Sequence, residues 1–595
     1  MTVHLGSELA TMLVAQRAGG DAALLQRTIE LLFHEREAGH VCLLLADWQR
    51  LPVEPDGEPF PDARRWTEAL LASGLCSLGA DATPRPLVLD GDGRLYFRRH
   101  FRDERRVLAH VQQRLDGALR VDAASLRRAL DELGMLPARG TIDWQTAAVA
   151  AAVARPFAVL TGGPGTGKTT TVAKLLAVLL HLEPGQRIAL CAPTGKAAAR
   201  LGEALRQRAA DQPHLAAVQD TIATRTLHRL LGYLPLDDAF RHGKDRTLPY
   251  DVVVVDEASM VDPALLAQLF EALRADARLV LVGDRDQLAA VAAGQVLGDL
   301  CRAAAPERGV GRHLADYVHA ATGMELPVHT EAPPLGDAVV ALRQNHRFAQ
   351  QPGIGAFAVA LAARDADAAL AALHEGHGDL VCEPVADAAL QHLASAFLAA
   401  ADAAAQVTTA DGGDAFAAAA ATALRHVWTS RVLCATRFGP TGAEAWNRRI
   451  EALLRERGHR TDEAFYVGRP ILVLQNDHQN QLWNGDLGVV VDRDGQRGVV
   501  FEAKGPPRFV PLLRLPTHTT AWAMTVHKAQ GSEFDEVLLA MPDQPGPLWQ
   551  APLLYTGITR ARRRAVLCAP PALVRQGLAN WPARGSGLAA ALAGG

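Results

Sequence analysis

The sequence predicts an α/β protein of several domains, organised around a parallel sheet that binds a nucleotide. Three observations predict it. A glycine-rich loop lies between an apolar run and a helical run, and it matches G-x-x-x-x-G-K-[ST] from Gly162 to Thr169. The apolar run DVVVV ends in Asp256-Glu257, and a third apolar run ends at Gly283 and leads into charged residues. Continuous apolar runs followed by polar residues are typical of buried parallel strands whose carboxyl ends meet a ligand.

Composition narrows the class of protein. The chain has 595 residues, of which 49% are hydrophobic, so we expect roughly three to four domains with sizeable cores. Its net charge of −4 excludes a wholly basic surface, so any nucleic acid must bind in a local groove. The seven cysteines form no C-x-x-C pair, which disfavours a zinc site and a disulfide framework. No signal peptide or membrane-spanning run is evident, so we expect a cytoplasmic protein without membrane contact.

The glycine-rich loop is predicted to hold the phosphates of a nucleotide. Its glycines let successive backbone N–H groups point inward, and the following helix presents its positive end to the same anion. Lys168 is placed to reach the β- and γ-phosphates, and the hydroxyl of Thr169 to ligate Mg²⁺. The alternative, a chance glycine turn, explains neither the strand before nor the helix after. The predicted nucleotide contacts in the loop are Gly162, Gly163, Pro164, Gly165, Thr166, Gly167, Lys168, Thr169 and Thr170.

Polar side chains elsewhere complete the predicted nucleotide site. Asp256 is placed to hold Mg²⁺, and Glu257 to orient or deprotonate the attacking water, with an acidic turn at a strand end as the alternative. The amide of Gln287 can contact the γ-phosphate and report its loss. Gln145, shortly before the loop strand, has an amide that suits the adenine edge, although the start of a capped helix is the alternative.

Two arginines far downstream predict a second domain that closes on the nucleotide. Arg347 lies in VVALRQNHRF, and Arg560 lies in LLYTGITRARRRAVL. An arginine near the γ-phosphate stabilises transition-state charge and contributes about 10³–10⁵ in rate. ATP would then open and shut a cleft between two domains, as in a motor cycle. The three arginines of the run that follows, 562–564, are predicted to lie on a solvated helix face.

Polar residues at other strand ends are candidates for nucleic-acid contacts. CAPTGKAAARL follows the strand RIAL and places Pro193, Thr194 and Lys196 where a strand ends and a helix begins, which suits a backbone phosphate. A second nucleotide loop is the alternative, and its spacing does not match. Thr226, within TRTLHRLLGY, is a further candidate, with an ordinary helix start as an equally good alternative.

The ordered set of motifs resembles that of the superfamily 1 helicases. TGGPGTGKTTT, CAPTGKAAAR, VVVDEASM, VGDRDQL, the segment of Arg347, MTVHKAQGSEF and YTGITRAR follow one another as in that superfamily. MTVHKAQGSEF and YTGITRARRR are most similar to the RecD branch, which moves 5′→3′ along single-stranded DNA. The resemblance implies two RecA-like motor domains, with ATP and Mg²⁺ between them and DNA lying across both. His346 departs from the Tyr that the superfamily often has before the arginine.

The place of MTVHKAQGSEF among these motifs assigns roles to its residues. Thr525 and His527 are expected to meet the DNA backbone. Glu533 is expected to accept a hydrogen bond from the ribose hydroxyl of the nucleotide. This short segment would therefore contact both DNA and ATP.

The resemblance also divides the chain into regions. A small hairpin insertion is expected at 234–249, and an SH3-like β-barrel insertion at about 465–518, in which Trp483 either stacks on a base or fills the core. The last residues, from about 585, are expected to fray. The expected domains are a mostly helical partner-docking domain at 1–125, with a hairpin turn at 90–93, a first motor domain at 126–338 and a second motor domain at 339–595.

Two forms of the branch are possible, a subunit of a RecBCD-type complex and a stand-alone helicase. The stand-alone proteins carry helix-hairpin-helix repeats in a longer N-terminal region, and no such signature precedes Gln145. LLFHEREAGHVCLLLADW and the segment 87–111 instead resemble the docking domain of the complex subunit. The resemblance therefore implies RecB-type and RecC-type partners, single-stranded and duplex-end DNA as ligands, and nuclease activity on a partner. An ATP-switched regulatory subunit and an RNA helicase are the alternative functions.

Overall fold

Two parallel sheets organise the chain, with a small mixed sheet before them and an antiparallel sheet inserted in the second. The computed structural model describes residues 2–50, 59–79, 83–117, 119–211, 222–348, 351–408, 410, 412–477, 479–503 and 505–594. The predicted α/β class, with parallel sheets flanked by helices, is confirmed. In the part of the chain that the structure describes, no helix combines the length and hydropathy needed to cross a bilayer.

The N-terminal region is mostly helical and adds a four-stranded sheet that the sequence did not predict in full. Its elements are α1 Thr2–Val14, α2 Ala22–Glu37, β1 Cys42–Leu44, α3 Ala63–Ala72, β2 Cys76–Leu78, β3 Leu87–Leu89, β4 Arg94–Phe97 and α4 Arg98–Leu115. Asp21 and Asp62 cap α2 and α3 by accepting hydrogen bonds from first-turn amides. The predicted hairpin is present, since β3 pairs antiparallel with β4 and the chain then enters α4.

The first motor domain is a six-stranded parallel sheet in the order β12-β5-β11-β10-β6-β7. Its strands are near-continuous runs of buried Val, Leu and Ala, because helices cover both faces. The predicted hairpin insertion is also present as β8 and β9. The elements are α5 Ala123–Glu132, α6 Trp144–Ala154, β5 Phe157–Gly162, α7 Lys168–Leu182, β6 Ile188–Ala192, α8 Gly195–Asp211, β7 Ala223–Thr226, α9 Leu227–Leu231, β8 Tyr233–Leu234, β9 Ala239–Phe240, β10 Val252–Val255, α10 Pro263–Ala272, β11 Arg278–Gly283, α11 Val296–Ala304, α12 Arg312–Thr322 and β12 Val339–Leu342.

The predicted boundary between residues 338 and 339 is wrong. β12 begins at Val339 and pairs in parallel with β5, the strand that leads into the glycine-rich loop. The boundary at residue 125 is also less sharp than expected, because α4 contributes Val107 and Val111 to the core of the first motor domain. Sheet pairing between distant strands decides the first boundary and helix packing decides the second, and local sequence pattern reports neither.

The second motor domain contains a five-stranded parallel sheet in the order β13-β22-β21-β14-β20. Its elements, with the insertion between α18 and β20, are α13 Pro352–Ala362, α14 Ala366–His374, β13 Leu380–Cys382, α15 Ala386–Gln391, α16 Ala394–Thr408, α17 Gly413–Thr429, β14 Ser430–Cys434, α18 Ala443–Glu456, β15 Pro470–Val473, β16 Leu487–Arg493, β17 Gln496–Phe501, β18 Arg508–Pro511, β19 His518–Thr520, β20 Ala523–Thr525, β21 Phe534–Ala540, α19 Ala551–Ile558, β22 Ala561–Cys568, α20 Pro571–Ala579 and α21 Leu588–Ala593.

The insertion is a five-stranded antiparallel sheet with a core of its own. The sheet order is β18-β17-β16-β15-β19, so it spans residues 470–520, close to the predicted 465–518. Asp494 and Gly495, at the turn between β16 and β17, both have positive φ, as a two-residue hairpin turn of the Asp-Gly kind requires. Its class as an SH3-like barrel stays a prediction. The buried residues of the core are Ile471, Val473, Leu482, Val490, Val499, Phe501 and Val510.

The C-terminal residues do not fray as the sequence predicted. α21 returns to the first motor domain and buries Leu588 and Leu592 in the core that α4 and α11 also line. The Gly/Ala-rich composition suggested a disordered end, but two leucines four residues apart on one helix face are enough to dock it. The region assigned to 339–595 therefore ends on the other motor domain.

The fold predicts a local stability effect at Asn447, which holds the edge strand β20. Its buried amide donates to the carbonyl of Ala523 (3.2 Å) and accepts from the amide of the same residue (2.8 Å). Asn447→Ala leaves both backbone groups without these bonds, which costs about 1–3 kcal/mol. Hydrogen exchange at Ala523 and its neighbours should become about five- to 150-fold faster in this variant. Arg448→Ala, at the exposed adjacent position, is the control; equal exchange in both variants would contradict the bracing role.

Candidate nucleotide and nucleic-acid site

The glycine-rich loop joins β5 to α7 in a conformation that only glycine adopts easily. Gly165 and Gly167 have φ of 80° and 82°, in the left-handed region. Lys168 begins α7, and its Nζ donates to the carbonyls of Gly162 (2.7 Å) and Gly163 (3.1 Å). The ammonium thus lies over the loop at the positive end of a helix, where a phosphate group binds.

Gln145 shows features of both of its predicted roles, the start of a capped helix and an amide beside the nucleotide loop. Its backbone amide donates to the Asp143 carboxylate (2.9 Å), so it does lie in the first turn of a capped helix. Its side-chain Nε2 also donates to the carbonyl of Thr166 in the loop (3.4 Å). A Cβ placed on Gly167 would lie 2.3 Å from that Nε2. The amide is therefore beside the loop, and contact with adenine stays a prediction.

Asp256 and Glu257 follow β10 and stand at the edge where β5 and β6 also end. Burial, and after it the adjacent charge of Glu257, raise the pKa of Asp256 to about 6, while Lys168 opposes the shift. Glu257 has a φ of 52°, an uncommon conformation outside glycine that often marks functional positions. A buried carboxylate that holds its proton readily gains from a bound cation, which fits the predicted Mg²⁺ site with Thr169 in the first turn of α7.

Two buried polar atoms also fit a bound phosphate and an attacking water. Among the described residues, neither Oε2 of Glu257 nor Nη1 of Arg347 has a hydrogen-bond partner, although both atoms are buried. Buried polar groups normally find a partner, so these atoms indicate a ligand. A carboxylate accepts from water and a guanidinium donates to phosphate, which matches the roles predicted for the two residues.

Gln287 is buried against Asp284 instead of pointing freely into the site. Its Nε2 donates to Oδ2 of Asp284 (3.0 Å), which also accepts from the hydroxyl of Tyr555 (3.1 Å). A Cβ placed on Gly163 would lie 2.9 Å from that hydroxyl, so Tyr555 of the second motor domain touches the loop of the first. Sequence reasoning missed Tyr555 and Asp284, although both lie inside quoted motifs. The γ-phosphate contact of Gln287 stays a prediction.

Arg347 reaches the loop from the first motor domain, a correction to the predicted approach from the second. The segment after β12 is fastened to the loop by Asn345, whose Nδ2 donates to the carbonyl of Pro164 (2.7 Å). The amide of His346 donates to the carbonyl of Gly165 (2.9 Å). His346 therefore serves the loop through its backbone, which any residue at that position supplies.

Glu533 is the centre of a cluster of arginines. Its Oε1 accepts from Arg347, and its Oε2 accepts from Arg200 and from Arg562 (3.2 Å). These charges and hydrogen bonds hold the pKa of Glu533 far below its usual range in spite of burial. Both carboxylate oxygens already accept hydrogen bonds from arginines, and the ribose contact of Glu533 stays a prediction. Sequence reasoning missed Arg200, which lies on α8 and joins the first motor domain to the cluster.

The second predicted arginine faces its own domain. Arg560 is buried, and it donates to the carbonyls of Thr556 (3.2 Å) and Ser532 (3.3 Å). It adds positive charge behind Glu533, whose pKa it helps to lower. The following arginines lie on β22 and not on the predicted helix face, since β22 begins at Ala561.

The two motor domains meet at Leu288, one residue after Gln287. The amide of Leu288 donates to Oγ1 of Thr556 (2.8 Å), and its carbonyl accepts from Nε2 of the buried Gln530 (2.8 Å). Arg364 of the second domain also pairs with Asp286 of the first (2.9 Å). Nucleotide-site residues of the first sheet thus contact the second domain directly.

The predicted DNA contacts lie at the carboxyl ends of strands in both sheets. Thr194 and Thr226 cap α8 and α9, since their hydroxyls accept from Ala197 (3.2 Å) and Arg229 (3.3 Å), and β6 and β7 are neighbours. Pro193 precedes Thr194 at the same edge and is partly exposed. In the second sheet, Thr525 ends β20 and His527 begins the short 3-10 helix that follows. The helix-start alternative for Thr226 therefore holds, and a cap leaves its hydroxyl partly engaged.

Lys196 does not point to solvent as a phosphate contact would. Its ammonium lies 3.8 Å from the ring centre of Trp428, in the second motor domain, and burial lowers its pKa to about 7.

Trp483 fits neither of its predicted roles, stacking on a base or filling the core of the insertion, by itself. Arg229 stacks on its ring at 3.8 Å, and Gly195 lies beside it. The insertion thus touches the edge of the first domain that carries the predicted DNA contacts Thr194 and Thr226.

Comparison with known proteins agrees with this arrangement. Family models match residues 4–96 (RecBCD enzyme subunit RecD, N-terminal domain), 145–293 (AAA domain) and 520–568 (UvrD-like helicase C-terminal domain). A RecBCD enzyme subunit RecD of Mycobacterium tuberculosis is 39% identical over 98% of this chain and 93% of its own length. The RecD subunit of Haemophilus influenzae is 33% identical over 83% of this chain and 80% of its own length.

Two further relatives are more distant. The ATP-dependent RecD2 DNA helicase of Deinococcus radiodurans is 32% identical over 80% of this chain but over 55% of its own length. A solved structure of Pif1 helicases at forked double-stranded DNA covers 74% of this chain and 94% of its own, with 16% identity and a TM-score of 0.39. The full-length match to the RecD subunits is decisive, and the chain belongs to the RecD family of RecBCD enzyme subunits, a family of ATP-dependent DNA helicases.

Proposed function

We propose that this chain is a motor subunit of a RecBCD-type complex and that it uses ATP and Mg²⁺ to move 5′→3′ along single-stranded DNA. The observation that carries the proposal is the cleft between the two sheets. Tyr555 of one domain touches the nucleotide loop of the other, and Leu288 is bonded on both sides to the second domain. A change at the γ-phosphate therefore has a short physical path to both domains.

Different residues of the cleft have different roles in the hydrolysis of ATP. Lys168 leaves the loop carbonyls to bind the β- and γ-phosphates. The buried Nη1 of Arg347 donates to the γ-phosphate. Thr169 and Asp256 would hold Mg²⁺, which neutralises charge on the phosphate oxygens. Glu257 accepts a proton from, or orients, the attacking water through its buried Oε2. Loss of the γ-phosphate removes the partner of Arg347.

DNA is proposed to cross the carboxyl edges of both sheets. Thr194 and Thr226 stand at that edge of the first sheet, and Thr525 and His527 at that edge of the second. A strand held at two points advances when the cleft closes and opens and each point releases in turn. Helix and strand ends present backbone N–H groups and hydroxyls to phosphates, which suits a contact that does not read sequence.

The partners follow from the length of the match. The chain aligns with nearly the whole of the mycobacterial RecD subunit, but with about half of the RecD2 helicase, and a RecD N-terminal family model covers residues 4–96. These matches favour a complex subunit that docks on RecC-type and RecB-type proteins through its N-terminal region. We place the nuclease on a partner and the whole complex in the cytoplasm.

Unwinding by the assembled complex tests the proposal against an ATP-switched regulatory subunit. The complex would be reconstituted with its RecB-type motor inactivated and given a duplex with a 5′ single-stranded tail. We expect ATP-dependent unwinding of that duplex and little unwinding of one with a 3′ tail. No unwinding of either duplex would favour the switch, and equal competition by RNA in the ATPase assay would favour an RNA helicase.

Replacing the loop lysine gives a sharper prediction. Lys168→Gln removes the ammonium that meets the β- and γ-phosphates, so ATPase stimulated by single-stranded DNA should fall by about 10²–10³. Co-purification with the partner subunits should not change, because the hydrogen bonds of the Lys168 ammonium to described residues go to carbonyls of the loop. Lys244→Gln, at an exposed position outside the nucleotide loop, is the matched control. Undiminished ATPase in Lys168→Gln would remove the loop from the mechanism.

A further inference from the structure

The end of the chain is fastened to the N-terminal region. The amide of Val41 donates to the carbonyl of Gly585 (2.8 Å), and the amide of Gly585 donates to Nδ1 of His40 (2.9 Å). Leu588 and Leu592 then bury in the core beside α4. The second motor domain is therefore linked to the partner-docking region by its own C-terminal segment.

Arg584 is the residue at which this segment meets the first motor domain. Its Nη1 donates to the carbonyls of Ala290 (2.7 Å), Ala292 (3.0 Å) and Gly294 (2.9 Å). Burial lowers the pKa of its guanidinium. Three carbonyl dipoles aimed at one nitrogen stabilise the charge there, so the arginine holds the loop 290–294 in one shape.

The N-terminal region forms a hydrogen bond to the same loop from the opposite side. The amide of Gly294 donates to the carbonyl of Gly39 (2.9 Å). Gly39 has a φ of 97°, and a Cβ placed on it would lie 2.8 Å from Nε of Arg584. A side chain at this position would push the guanidinium away from the carbonyls. The absence of a side chain at Gly39 thus permits the contact between Arg584 and the loop.

The loop begins two residues after Leu288, the junction of the two motor domains. Leu288 bonds to Gln530 and Thr556 through its backbone, so a shift of Ala290 passes along two peptide units to the motor cleft. Arg584 also lies close enough to His527 for its charge to lower the pKa of that imidazole, after the larger effect of burial. Docking region, hydrolysis cleft and DNA-facing segment therefore meet within one connected set of contacts.

We propose that Arg584 is a positioning residue that couples the partner-docking region to DNA-stimulated ATP hydrolysis. It holds loop 290–294 between Gly39 and the C-terminal segment, and the loop in turn sets the position of Leu288 against the second motor domain. The inference rests on the proposed motor function. It adds a route by which a partner subunit, bound to the N-terminal region, regulates the motor.

The test uses the full chain assembled with its partner subunits, with ATP and oligo(dT) as the probes. Arg584→Ala should lower the ATPase rate stimulated by oligo(dT) by about two- to thirtyfold. DNA-free ATPase and the KM for ATP should stay within twofold of the wild-type values, because Arg584 lies outside the nucleotide site. Arg584→Lys, which keeps the charge and donors, should recover at least half of the stimulation.

Two further variants separate coupling from mere anchoring of the tail. Gly39→Ala should reproduce the loss in Arg584→Ala, since its methyl group displaces the guanidinium from the N-terminal side. Leu592→Ala loosens α21 without touching the loop, so it should lower thermal stability and leave the stimulation ratio unchanged. Full stimulation in Arg584→Ala, or equal loss in Leu592→Ala, would overturn the inference. Wild-type complex without any ATPase or unwinding would instead count against the proposed function.

Discussion

One largely buried carboxylate, that of Glu533, joins the two motor domains beside the nucleotide loop. It accepts hydrogen bonds from Arg347 next to that loop, from Arg200 on α8 of the first motor domain, and from Arg562 of its own domain. Three guanidiniums around one carboxylate leave an excess of positive charge, to which Arg560 adds. In the proposed function, the triphosphate of ATP is the anion that balances this excess, and we expect its binding to redistribute the arginines and with them the contact between domains.

The remaining junctions lie on the same path. Tyr555 touches the loop at Gly163 and bonds to Asp284, and Leu288 continues from that motif into the second domain. Arg584 extends the path to the N-terminal region. The bonds of Tyr555 to Asp284, of Leu288 to Thr556 and of Arg584 to Ala290 are hydrogen bonds, which have a narrow range of acceptable geometry. We therefore expect small displacements at the nucleotide to be transmitted as discrete rearrangements, because closely packed cores deform little.

The sequence predicts well the features whose physics is local. The nucleotide loop, the strand-end carboxylates and the Asp-Gly turns need particular backbone conformations within a few residues, so their motifs are readable. The partners of Glu533 are not, because Arg200 lies 333 residues away and only the assembled sheets bring the two together. The same limit explains why the domain of β12 was predicted wrongly, since its four apolar residues fit either domain. It also explains why the contact of Lys196 with Trp428 was missed, since that contact depends on the other domain. The docked C-terminal helix shows tertiary packing overriding a weak local signal.

A double-mutant cycle on Glu533 and Arg347 measures the central interaction most directly. ATPase stimulated by single-stranded DNA would be measured for the wild-type protein, Glu533→Gln, Arg347→Ala and the double variant. If the carboxylate positions Arg347 for the nucleotide, the two effects are not additive and the coupling free energy is about 0.5–3 kcal/mol. Additive effects, with coupling near zero, would mean that the ion pair plays no part in hydrolysis and would contradict this account.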